Sequence, residues 1–442
     1  MIVIVGAGLA GLSAAYHLSG MPYRLYEREQ EVGGLCRSYK KDGFTFDYTG
    51  HLLHFRQPEI KALVEQLLAG KLQKHSRKSF IYSHRTYTEY PFQVNTHGLP
   101  AEVVRECLMG FIATLTQPSS FIPSKDRSFK QWILDNLGEG MAKHFMVPFN
   151  EKLWQVSLEE LTSDWVSWLV PKPELKDVIN GALGIKDKAF GYNPSFLYPA
   201  ADGIKVLPES FLPGIDGVRK GVELIEVDSK RRRALFHDRL SGESWDEHYE
   251  LLVSTIPVTE FVRRCVDFPA HLKEAAEGLR WVSVYNLNMG VAREKVSDKH
   301  WLYFPEPEYP FYRVGFPMNF SPSLCRAGCS SMYVEMSHRP TEHQSTEELV
   351  TRARSGMQRA GILRPDDQIV VADVKDLHYA YVYFDRHRAR ALPEILAELE
   401  RRGIHSIGRY GRWEHTSMED AIGQGKQLAE RLRALGIQRA SA

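Results

Sequence analysis

The chain has 442 residues, more than a single hydrophobic core usually supports, so we expect two or three domains. Its 56 lysine and arginine residues balance 55 aspartate and glutamate residues, and such a near-neutral chain has no general field that gathers nucleic acid or anionic lipid. The five cysteines form no Cys-x-x-Cys pair and no zinc-like spacing, which favours free thiols in a reducing cytoplasm and predicts no metal site.

The sequence shows no pattern typical of export or membrane insertion. An apolar run begins at residue 2, which leaves no room for a signal peptide, and no uninterrupted apolar stretch approaches the roughly 18 residues that span a bilayer. We therefore expect a cytoplasmic protein without a membrane span. Two basic runs, 230–233 and 386–390, are interpreted as a solvated hairpin and a solvated helix face rather than as binding patches.

The first predicted elements are a strand, a tight turn and a helix. The apolar run is followed by Gly6-x-Gly8-x-x-Gly11 and then by an alanine- and leucine-rich segment over 12–18. Gly6 permits the turn, Gly8 lets the backbone approach a pyrophosphate, and Gly11 lets the helix pack on the strand. The N-terminus of the helix offers free N–H groups to the anion. This order predicts a dinucleotide-binding fold.

The next segment indicates which dinucleotide is bound. A strand-like stretch over 23–27 ends in Glu27, about twenty residues beyond the first glycine, where a carboxylate can accept hydrogen bonds from a ribose diol. The run Gly33-Gly34-Leu35-Cys36-Arg37-Ser38 follows, and it resembles the second phosphate-contact element of the FAD-binding amine-oxidase superfamily. Gly34, Leu35 and Arg37 are therefore predicted cofactor contacts, and FAD is favoured over NAD. A purely structural glycine turn is the alternative.

The hydrophobic pattern then changes several times along the chain. It is strand-like over 43–55, helical over 99–185, strand-like over 221–228 and 250–257, aromatic-rich over 265–385, and helical over 417–435, where Ser417 and Asp420 have capping-box spacing. We expect the strands at 221–228 and 250–257 to complete the first sheet.

These patterns predict an α/β protein with three domains. The first is a discontinuous Rossmann-like FAD-binding domain, the second is helical, and the third is a mostly antiparallel β-sheet domain that contacts substrate. Their predicted ranges are 1–75, 197–262 and 395–442 for the FAD-binding domain, 99–190 for the helical domain, and 76–98 and 263–394 for the sheet domain.

Six further motifs resemble those of a known family. They are Tyr90-Pro-Phe-Gln-Val-Asn, Phe145-Met-Val-Pro-Phe-Asn-Glu-Lys-Leu-Trp, Gly191-Tyr-Asn-Pro-Ser-Phe, Trp301-Leu-Tyr-Phe-Pro, Pro310-Phe-Tyr-Arg and Gly408-Arg-Tyr-Gly-Arg-Trp. In this order and spacing they resemble the UDP-galactopyranose mutases, especially the eukaryotic type, and their protoporphyrinogen-oxidase-like bacterial relatives. The resemblance runs from end to end of the chain, and it implies an FAD domain, a helical domain and a six-stranded sheet domain.

The resemblance also implies a reaction. In that family reduced FAD acts as a nucleophile on the anomeric carbon of a nucleotide sugar, the diphosphate leaves, and the sugar recloses as a furanose with no net oxidation. The implied activity is interconversion of UDP-galactopyranose and a galactofuranose-like product in the synthesis of a glycan or a glycosylated metabolite. The implied partners are a nucleotide-sugar substrate and FAD in its reduced form, with NAD(P)H as a candidate reductant and the oligomeric state left open.

The resemblance assigns roles to individual residues. The implied roles are: His51, after Gly50, in the flavin-side loop; Phe92, Gln93 and Asn150 at the nucleobase, with Trp154 also at the substrate; Tyr303, Arg313 and Tyr381 at the diphosphate; Asn193 near the sugar; and Arg409 and Met418 at the cofactor. An ordinary turn histidine is the alternative for His51, and inter-domain packing is the alternative for the base-binding residues. Tyr379 and Tyr383 leave the register of Tyr381 open.

Three departures from the family pattern put the substrate in doubt. Leu169 stands where the family has a second diphosphate-binding arginine, His415 stands where it has a tyrosine two residues after its C-terminal aromatic residue, and Asp202-Gly203 replaces a glycine pair. Loss of one charged phosphate contact would cost about 1.5 to 3 kcal/mol of diphosphate affinity, enough to change the substrate without changing the fold.

Two other functions are compatible with the same cofactor motifs. One is an FAD-dependent amine oxidase or dehydrogenase of the protoporphyrinogen-oxidase-like type, which would turn over with oxidised flavin. The other is a non-catalytic FAD-binding protein, which the changes at Leu169 and His415 would explain.

Overall fold

A computed structural model of the protein describes residues 1–116, 124–166, 170, 172–186 and 194–435. Its strands are β1 (Ile2–Val5), β2 (Tyr23–Glu27), β3 (Ser38–Lys41), β4 (Phe44–Asp47), β5 (Leu72–Ser76), β6 (Ser79–Ser83), β7 (Thr86–Glu89), β8 (Ser195–Pro199), β9 (Arg219–Lys220), β10 (Val222–Asp228), β11 (Arg233–Asp238), β12 (Ser244–His248), β13 (Leu251–Ser254), β14 (Trp281–Val291), β15 (Trp301–Tyr303), β16 (Arg313–Gly315), β17 (Ser330–His338), β18 (Ile369–Val382) and β19 (Ile404–Ser406).

Its helices lie between groups of these strands. They are α1 (Leu9–His17), α2 (Pro58–Leu68), α3 (Ala101–Leu115), α4 (Phe129–Met141), α5 (Val147–Trp154), α6 (Leu175–Leu183), α7 (Val206–Glu209), α8 (Val258–Arg264), α9 (Ala270–Glu277), α10 (Thr346–Arg359), α11 (Arg386–Arg401), α12 (Gly408–Gly411) and α13 (Met418–Ala434). Over the described residues, no helix has both the length and the apolar character needed to cross a bilayer.

The first sheet is parallel and has the strand order β19-β13-β1-β2-β9. All four residues of β1 are buried, because helices cover both faces of the sheet. Ile2 and Ile4 pack in one core cluster with residues of α1 and α13, while Val3 and Val5 pack in another with residues of α8 and α11. The predicted α/β class is therefore confirmed.

The prediction for the strands that complete this sheet is partly wrong. β13 lies next to β1 as expected, but β10 belongs to a separate antiparallel sheet with β11 and β12. The short strand β9 occupies the edge beside β2, and Gly221, at φ +74°, then turns the chain away before β10 begins.

The two basic runs have different environments. Residues 230–232 of the first run form the exposed turn between β10 and β11, as predicted, and Arg233 begins β11. The run at 386–390 opens α11, but Arg388 is buried, with its guanidinium carbon 3.8 Å from the ring centroid of Phe384 and its Nε–H donating to the carbonyl of Trp413. The prediction of a fully solvated helix face is therefore wrong at Arg388.

The large sheet has the strand order β18-β14-β17-β16-β15-β6-β7. The pairings are antiparallel except that of β15 with β6, and seven described strands replace the six that the family resemblance implied. Strands β6 and β7 precede the helical segment in the chain, whereas the other five follow it. The sheet is thus assembled across the helical segment, which holds that segment against it.

One lysine connects the helical segment to the sheet. The Nζ of Lys152, in α5, donates to the carbonyls of Phe304 and Glu306 in the turn between β15 and β16, at 2.8 Å from the Phe304 oxygen. Desolvation lowers the pKa of Lys152 to about 8. This contact places α5 directly behind the strands that carry Tyr303 and Arg313.

The approach of α13 to α1 depends on one glycine. A Cβ atom at Gly425 would lie 2.5 Å from the carbonyl oxygen of Ala10 and 2.6 Å from the nitrogen of Ala14, so no side chain fits there. Gly423 lies two residues earlier in α13, and a Cβ atom there would have its nearest neighbouring atom at 3.4 Å. The same helix therefore contains one glycine position that has room for a side chain and one that has none.

We predict opposite effects of alanine at these two positions. Gly425→Ala should destabilise the protein by about 1 to 3 kcal/mol, because the helices must separate. Gly423→Ala should stabilise it by about 0.5 to 1 kcal/mol, because alanine favours the helix and meets only ordinary contacts. Urea unfolding of both variants measures the difference, and equal effects would show that helix propensity alone governs this region.

Candidate functional site

A cavity of about 730 Å³ lies at the carboxyl ends of β1 and β2. Its walls extend from Gly8 and Glu27, past the loop that holds His51, to Arg313 and Tyr381 on the large sheet. Ligands of open parallel sheets bind at the carboxyl ends of the strands, so this cavity is the candidate site.

The three glycines of the first motif have different environments. Gly6 has φ +95°, and a Cβ atom there would lie 2.3 Å from Oγ1 of Thr255. A Cβ at Gly11 would lie 2.0 Å from the carbonyl oxygen of Gly6, so the first turn of α1 touches the end of β1. Gly8 has no neighbour within 4 Å of such an atom, and it faces the cavity. A side chain at Gly8 would fill the space that a pyrophosphate needs.

Glu27 is held in a fixed orientation at the end of β2. Its Oε2 accepts the N–H of Ala7 at 2.7 Å and its Oε1 accepts the N–H of Glu29 at 2.9 Å. The carboxylate is 8% exposed and lines the cavity. Each oxygen keeps a lone pair for a further donor, as a ribose diol requires.

The second glycine element lies against the first. The N–H of Gly33 donates to the carbonyl of Ala7 at 2.8 Å, and a Cβ at Gly34 would lie 3.5 Å from the Cα of Gly8. Gly34, Leu35 and Arg37 all line the cavity. The Nε–H of Arg37 donates to the carbonyl of Gly34, and its guanidinium lies 4.6 Å from the ring of Tyr48.

The N-terminus of α13 also faces the cavity. The Oγ of Ser417 accepts the N–H of Asp420, and the Asp420 carboxylate accepts the N–H of Ser417, which confirms the predicted capping box. Thr416, Ser417 and Met418 line the cavity, and the buried Oγ1 of Thr416 has no partner among the described residues. Arg409 donates to the carbonyl of Thr416 at 2.8 Å.

These elements fit FAD. Two glycine turns with room beside Gly8, a fixed carboxylate at Glu27, and a helix N-terminus where the Thr416 hydroxyl has no partner in the described part of the chain are the groups that a flavin dinucleotide needs. The positive end of α13 favours negative charge on the part of the cofactor nearest to it.

The opposite end of the cavity holds Arg313, which the sequence indicated, and the carboxylate of Glu335, which it did not indicate. The Nε–H and an Nη2–H of Arg313 donate to Oε2 and Oε1 of Glu335 at 2.8 and 2.6 Å. Glu335 is 1% exposed and lies directly opposite Arg313 on the neighbouring strand. The rings of Tyr312 and Tyr333 flank the guanidinium, with centroids 6.0 and 5.9 Å from its carbon.

His51 faces the cavity from the loop after β4. Its Nδ1–H donates to the carbonyl of Thr49 at 3.3 Å, and desolvation lowers its pKa to about 4, so the imidazole is neutral near pH 7. A Cβ at Gly50 would lie 2.3 Å from the hydroxyl of Tyr333, which shows how closely the loop packs on the large sheet.

The structure separates the three neighbouring tyrosines of β18. The hydroxyl of Tyr379 donates to Oε1 of Glu260 at 2.8 Å, and that of Tyr383 donates to the carbonyl of Trp154 at 2.6 Å. Tyr379 and Tyr381 both line the cavity, and the guanidinium of Arg409 lies 5.6 Å from the ring centroid of Tyr381. Its position on the large sheet beside Arg409 suits Tyr381 to contact a ligand.

The residues assigned to the substrate end do not all line this cavity. Those that lie outside its wall are Phe92, Gln93, Asn150, Trp154, Tyr303 and His415. Phe92 is fully buried and belongs to a series of rings that continues through Phe145 and Phe149 to Tyr303, with successive centroids 5.0, 5.1 and 5.4 Å apart. This series connects the helical segment to the strand beside Arg313.

Asn150, Trp154 and His415 have structural contacts of their own. The amide of Asn150 donates to the carbonyl of Met146 at 2.7 Å. His415 stacks on Trp154, with centroids 5.1 Å apart, and its Nε2–H donates to the carbonyl of Val382 at 3.0 Å. Desolvation lowers the pKa of His415 to about 3. Gln93 is buried in the short helical turn that follows β7.

Other features of the predicted site are placed differently. Asn193 and Leu169 lie outside the described residues. Asp202 and Gly203 both have positive φ, and a Cβ at Gly203 would lie 2.3 Å from Oγ of Ser38.

The sequence prediction did not include Glu335, although the sequence contained one signal for it. A single acid within the otherwise uncharged strand β17 requires a cationic partner.

The fold and the cavity define a dinucleotide-binding flavoprotein. A profile of the family described as flavin containing amine oxidoreductase matches residues 9–433, so the chain belongs to this family. The membership implies FAD as the cofactor and confirms the superfamily that the sequence motifs suggested.

Two solved structures resemble the whole chain. A reduced UDP-galactopyranose mutase is 25% identical, with a TM-score of 0.89 over 99% of this chain and 94% of that one. A protein from Exiguobacterium sp. 255-15, described as a protoporphyrinogen oxidase, is 18% identical, with a TM-score of 0.75 over 98% of both chains. The second likeness shows the fold alone.

Curated relatives match only short stretches. A 4,4'-diapophytoene desaturase of Staphylococcus haemolyticus is 48% identical over 48 residues, which are 10% of this chain and 10% of that protein. The chain spans between 10% and 35% of the length of the first four curated relatives that it matches.

We predict that alanine at Gly8 and at Gly11 separates cofactor binding from folding. Gly8→Ala should leave the unfolding temperature of the apoprotein nearly unchanged, because the added Cβ meets no protein atom, but it should weaken FAD binding by about tenfold or more, or about 1.4 kcal/mol. Gly11→Ala should lower the apoprotein stability by about 1 to 3 kcal/mol. Flavin content and thermal unfolding measure both effects; full flavin content in Gly8→Ala would contradict the placement of the pyrophosphate.

We also predict that the apoprotein loses stability in mild acid. Desolvation lowers the pKa values of His51, His54 and His300 to about 4 and of His415 to about 3, against 6.5 for an unperturbed histidine. At pH values between the folded and the unfolded pKa, each of these histidines is protonated in the unfolded chain and neutral in the folded protein. The free energy of unfolding therefore falls as the pH falls, on the order of 2 kcal/mol per histidine. Burial raises the pKa of Asp47 to about 6, which opposes this loss.

Urea unfolding at pH 7 and at pH 5 tests the balance. The midpoint should be lower at pH 5, because four histidines outweigh one carboxyl group. Asp47→Asn serves as the control variant, and it should steepen the decline by removing the opposing contribution. A midpoint that is unchanged or higher at pH 5 would contradict the enclosure of these imidazoles.

Proposed function

We propose that the protein is a reduced-FAD-dependent isomerase of a nucleotide sugar, which interconverts pyranose and furanose forms in the manner of a UDP-galactopyranose mutase. The observation that carries the proposal is the likeness to a reduced UDP-galactopyranose mutase over 99% of this chain and 94% of that one. A partial fold match would support only the cofactor domain, whereas this likeness includes the helical segment and the large sheet. We further propose that the product enters a glycan or a glycosylated metabolite.

The residues of the cofactor end would hold FAD in place. Glu27 would accept the ribose hydroxyls, while the backbone at Gly8 and Gly34 would approach the pyrophosphate. The N-terminus of α13, at Met418, would favour the anionic reduced form through its positive end, and Arg409 would lie alongside. Reduced FAD, when bound, supplies the nucleophile for the sugar, and we propose NAD(P)H as the reductant.

The residues of the opposite end would bind the diphosphate. Arg313 uses two of the five N–H groups of its guanidinium on Glu335, so three remain for phosphate oxygens. The hydroxyls of Tyr381 and Tyr303 would add further donors. Because the Nδ1–H of neutral His51 donates to the carbonyl of Thr49, its Nε2 would accept a hydrogen bond from a hydroxyl of the ligand and would add no charge.

The base and the sugar would be held from the helical segment and from the turn after β7. We propose Phe92, Gln93 and Asn150 for the nucleobase, with Trp154 also at the substrate, Asn193 near the sugar and His415 as a catalytic residue. Because Phe92 is stacked on Phe145 and Asn150 donates to its own helix, base binding requires these side chains to rearrange. Bound substrate would then hold these side chains in their rearranged positions.

A second candidate is an FAD-dependent oxidoreductase, and one observation favours it. The charge of Arg313 is cancelled by the buried carboxylate of Glu335, so the described wall at this end is less suited to a diphosphate than a free arginine would be. Such an enzyme would use oxidised flavin and an electron acceptor, with an amine or a carbon–carbon bond as its substrate.

The experiment compares these functions under anaerobic conditions. The holoenzyme is reduced with dithionite and mixed with a panel of nucleoside-diphosphate hexoses, and the sugars are analysed for ring isomers by chromatography. The mass of the cofactor after a cyanoborohydride quench identifies the sugar that reacted. Release of an isomer supports the proposal. Absence of any isomer, together with bleaching of the oxidised flavin by an amine or another reduced compound, would favour the oxidoreductase.

Two matched variants localise the activity. Tyr381→Phe should lower kcat/KM by about tenfold or more, because a hydroxyl that donates to a charged group contributes about 1.5 to 3 kcal/mol. Tyr379→Phe should lower it by less than about threefold, because that hydroxyl binds Glu260 instead of ligand. Equal losses in both variants would place the substrate elsewhere along β18.

A further inference from the structure

We propose that Glu335 is a positioning residue that sets the affinity of this site for a diphosphate by holding Arg313 and cancelling its charge. This inference rests on the proposed function for the class of ligand, and it assigns a role to a residue that the family motifs did not indicate. The carboxylate and the guanidinium both line the cavity, so the pair acts where ligand and cofactor meet.

The geometry of the pair leaves little freedom to either side chain. Two parallel hydrogen bonds, of 2.8 and 2.6 Å, join the guanidinium fork to both carboxylate oxygens across adjacent strands. The backbone carbonyl of Glu335 also accepts the N–H of Tyr312 at 3.1 Å. A bidentate contact of this kind fixes the plane of the guanidinium as well as its position.

Burial strengthens the electrostatic effect of the Glu335 carboxylate on Arg313. Glu335 is 1% exposed, whereas the Arg313 side chain is 19% exposed, so water screens the carboxylate weakly. A ligand therefore meets Arg313 as a planar set of N–H donors whose positive charge is largely compensated. The family pattern would place a second arginine at Leu169, which cannot supply a charge. Removing the negative charge of Glu335 should therefore leave the positive charge of Arg313 uncompensated at the end of the cavity where the ligand would bind.

The structure offers a control pair with the same geometry. The Nε–H and an Nη2–H of Arg293 donate to Oδ1 and Oδ2 of Asp367 at 2.7 and 2.8 Å, with side-chain exposures of 21% and 5%. This pair does not line the cavity. Asp367→Asn therefore imposes the loss of a buried ionic partner without changing the charge beside the ligand.

The test uses purified FAD-loaded protein and two measurements. The first is equilibrium binding of UDP at low and high salt, and the second is the midpoint potential of the bound flavin. Glu335→Gln should bind UDP about tenfold more tightly with a steeper dependence on salt, because an uncompensated cation attracts the diphosphate. Its flavin potential should rise by about 30 mV, the equivalent of a tenfold change in a two-electron equilibrium constant. Asp367→Asn should change neither quantity.

A conservative variant separates charge from folding. Glu335→Asp keeps the negative charge on a side chain that is shorter by one methylene, so its UDP affinity and flavin potential should stay close to those of the unchanged protein. If Glu335→Gln does not fold, a UDP affinity of Glu335→Asp that differs by about tenfold or more from that of the unchanged protein, or a flavin potential that differs by about 30 mV or more, overturns the proposal, and near-identity supports it.

The remaining outcomes are equally decisive. A Glu335→Gln protein with unchanged flavin potential and no gain in UDP affinity would overturn the proposal, as would a loss of affinity that matches that of Asp367→Asn. Failure of the proposed function has a different signature. In that case UDP binds to none of the proteins, while the potential of Glu335→Gln still rises because the charge beside the cofactor has changed.

Discussion

The contact between the end of β1 and the first turn of α1 is the constraint on which the site depends. A Cβ at Gly11 would lie 2.0 Å from the carbonyl oxygen of Gly6, so the helix begins directly against the strand. This contact directs the N-terminus of α1 at the carboxyl edge of the sheet. Gly425 then lets α13 approach α1 to within backbone contact, which brings the capped end of α13 to the same cavity. Two helix ends and one fixed carboxylate, Glu27, thus converge without any long side chain.

The opposite wall of the cavity is organised by charge rather than by close backbone contact. Arg313 would be costly to enclose as an isolated cation, and Glu335 compensates it across one strand pairing. His51 meets the same cost in a different way, by remaining neutral. The result is a described wall with many hydrogen-bond donors and little net charge.

The helical segment contributes through packing. The series of rings from Phe92 through Phe149 to Tyr303 and the buried Nζ of Lys152 connect this segment to the strands that carry Arg313. A displacement of Phe92 would therefore be transmitted toward Arg313, because close-packed interiors pass on displacements. The described residues of the helical segment do not line the cavity, so this packing is their connection to it.

The sequence by itself determined the nucleotide-binding half of the molecule. The glycine spacing, Glu27 and the capping box of Ser417 depend on residues close together in the chain, and their backbone requirements are visible in the residue types alone. Only the tertiary structure decided that β10 leaves the first sheet, that Arg388 is buried and that Glu335 pairs with Arg313. Those outcomes depend on strand register and on packing between distant segments, and no local pattern of residues encodes which strands become neighbours.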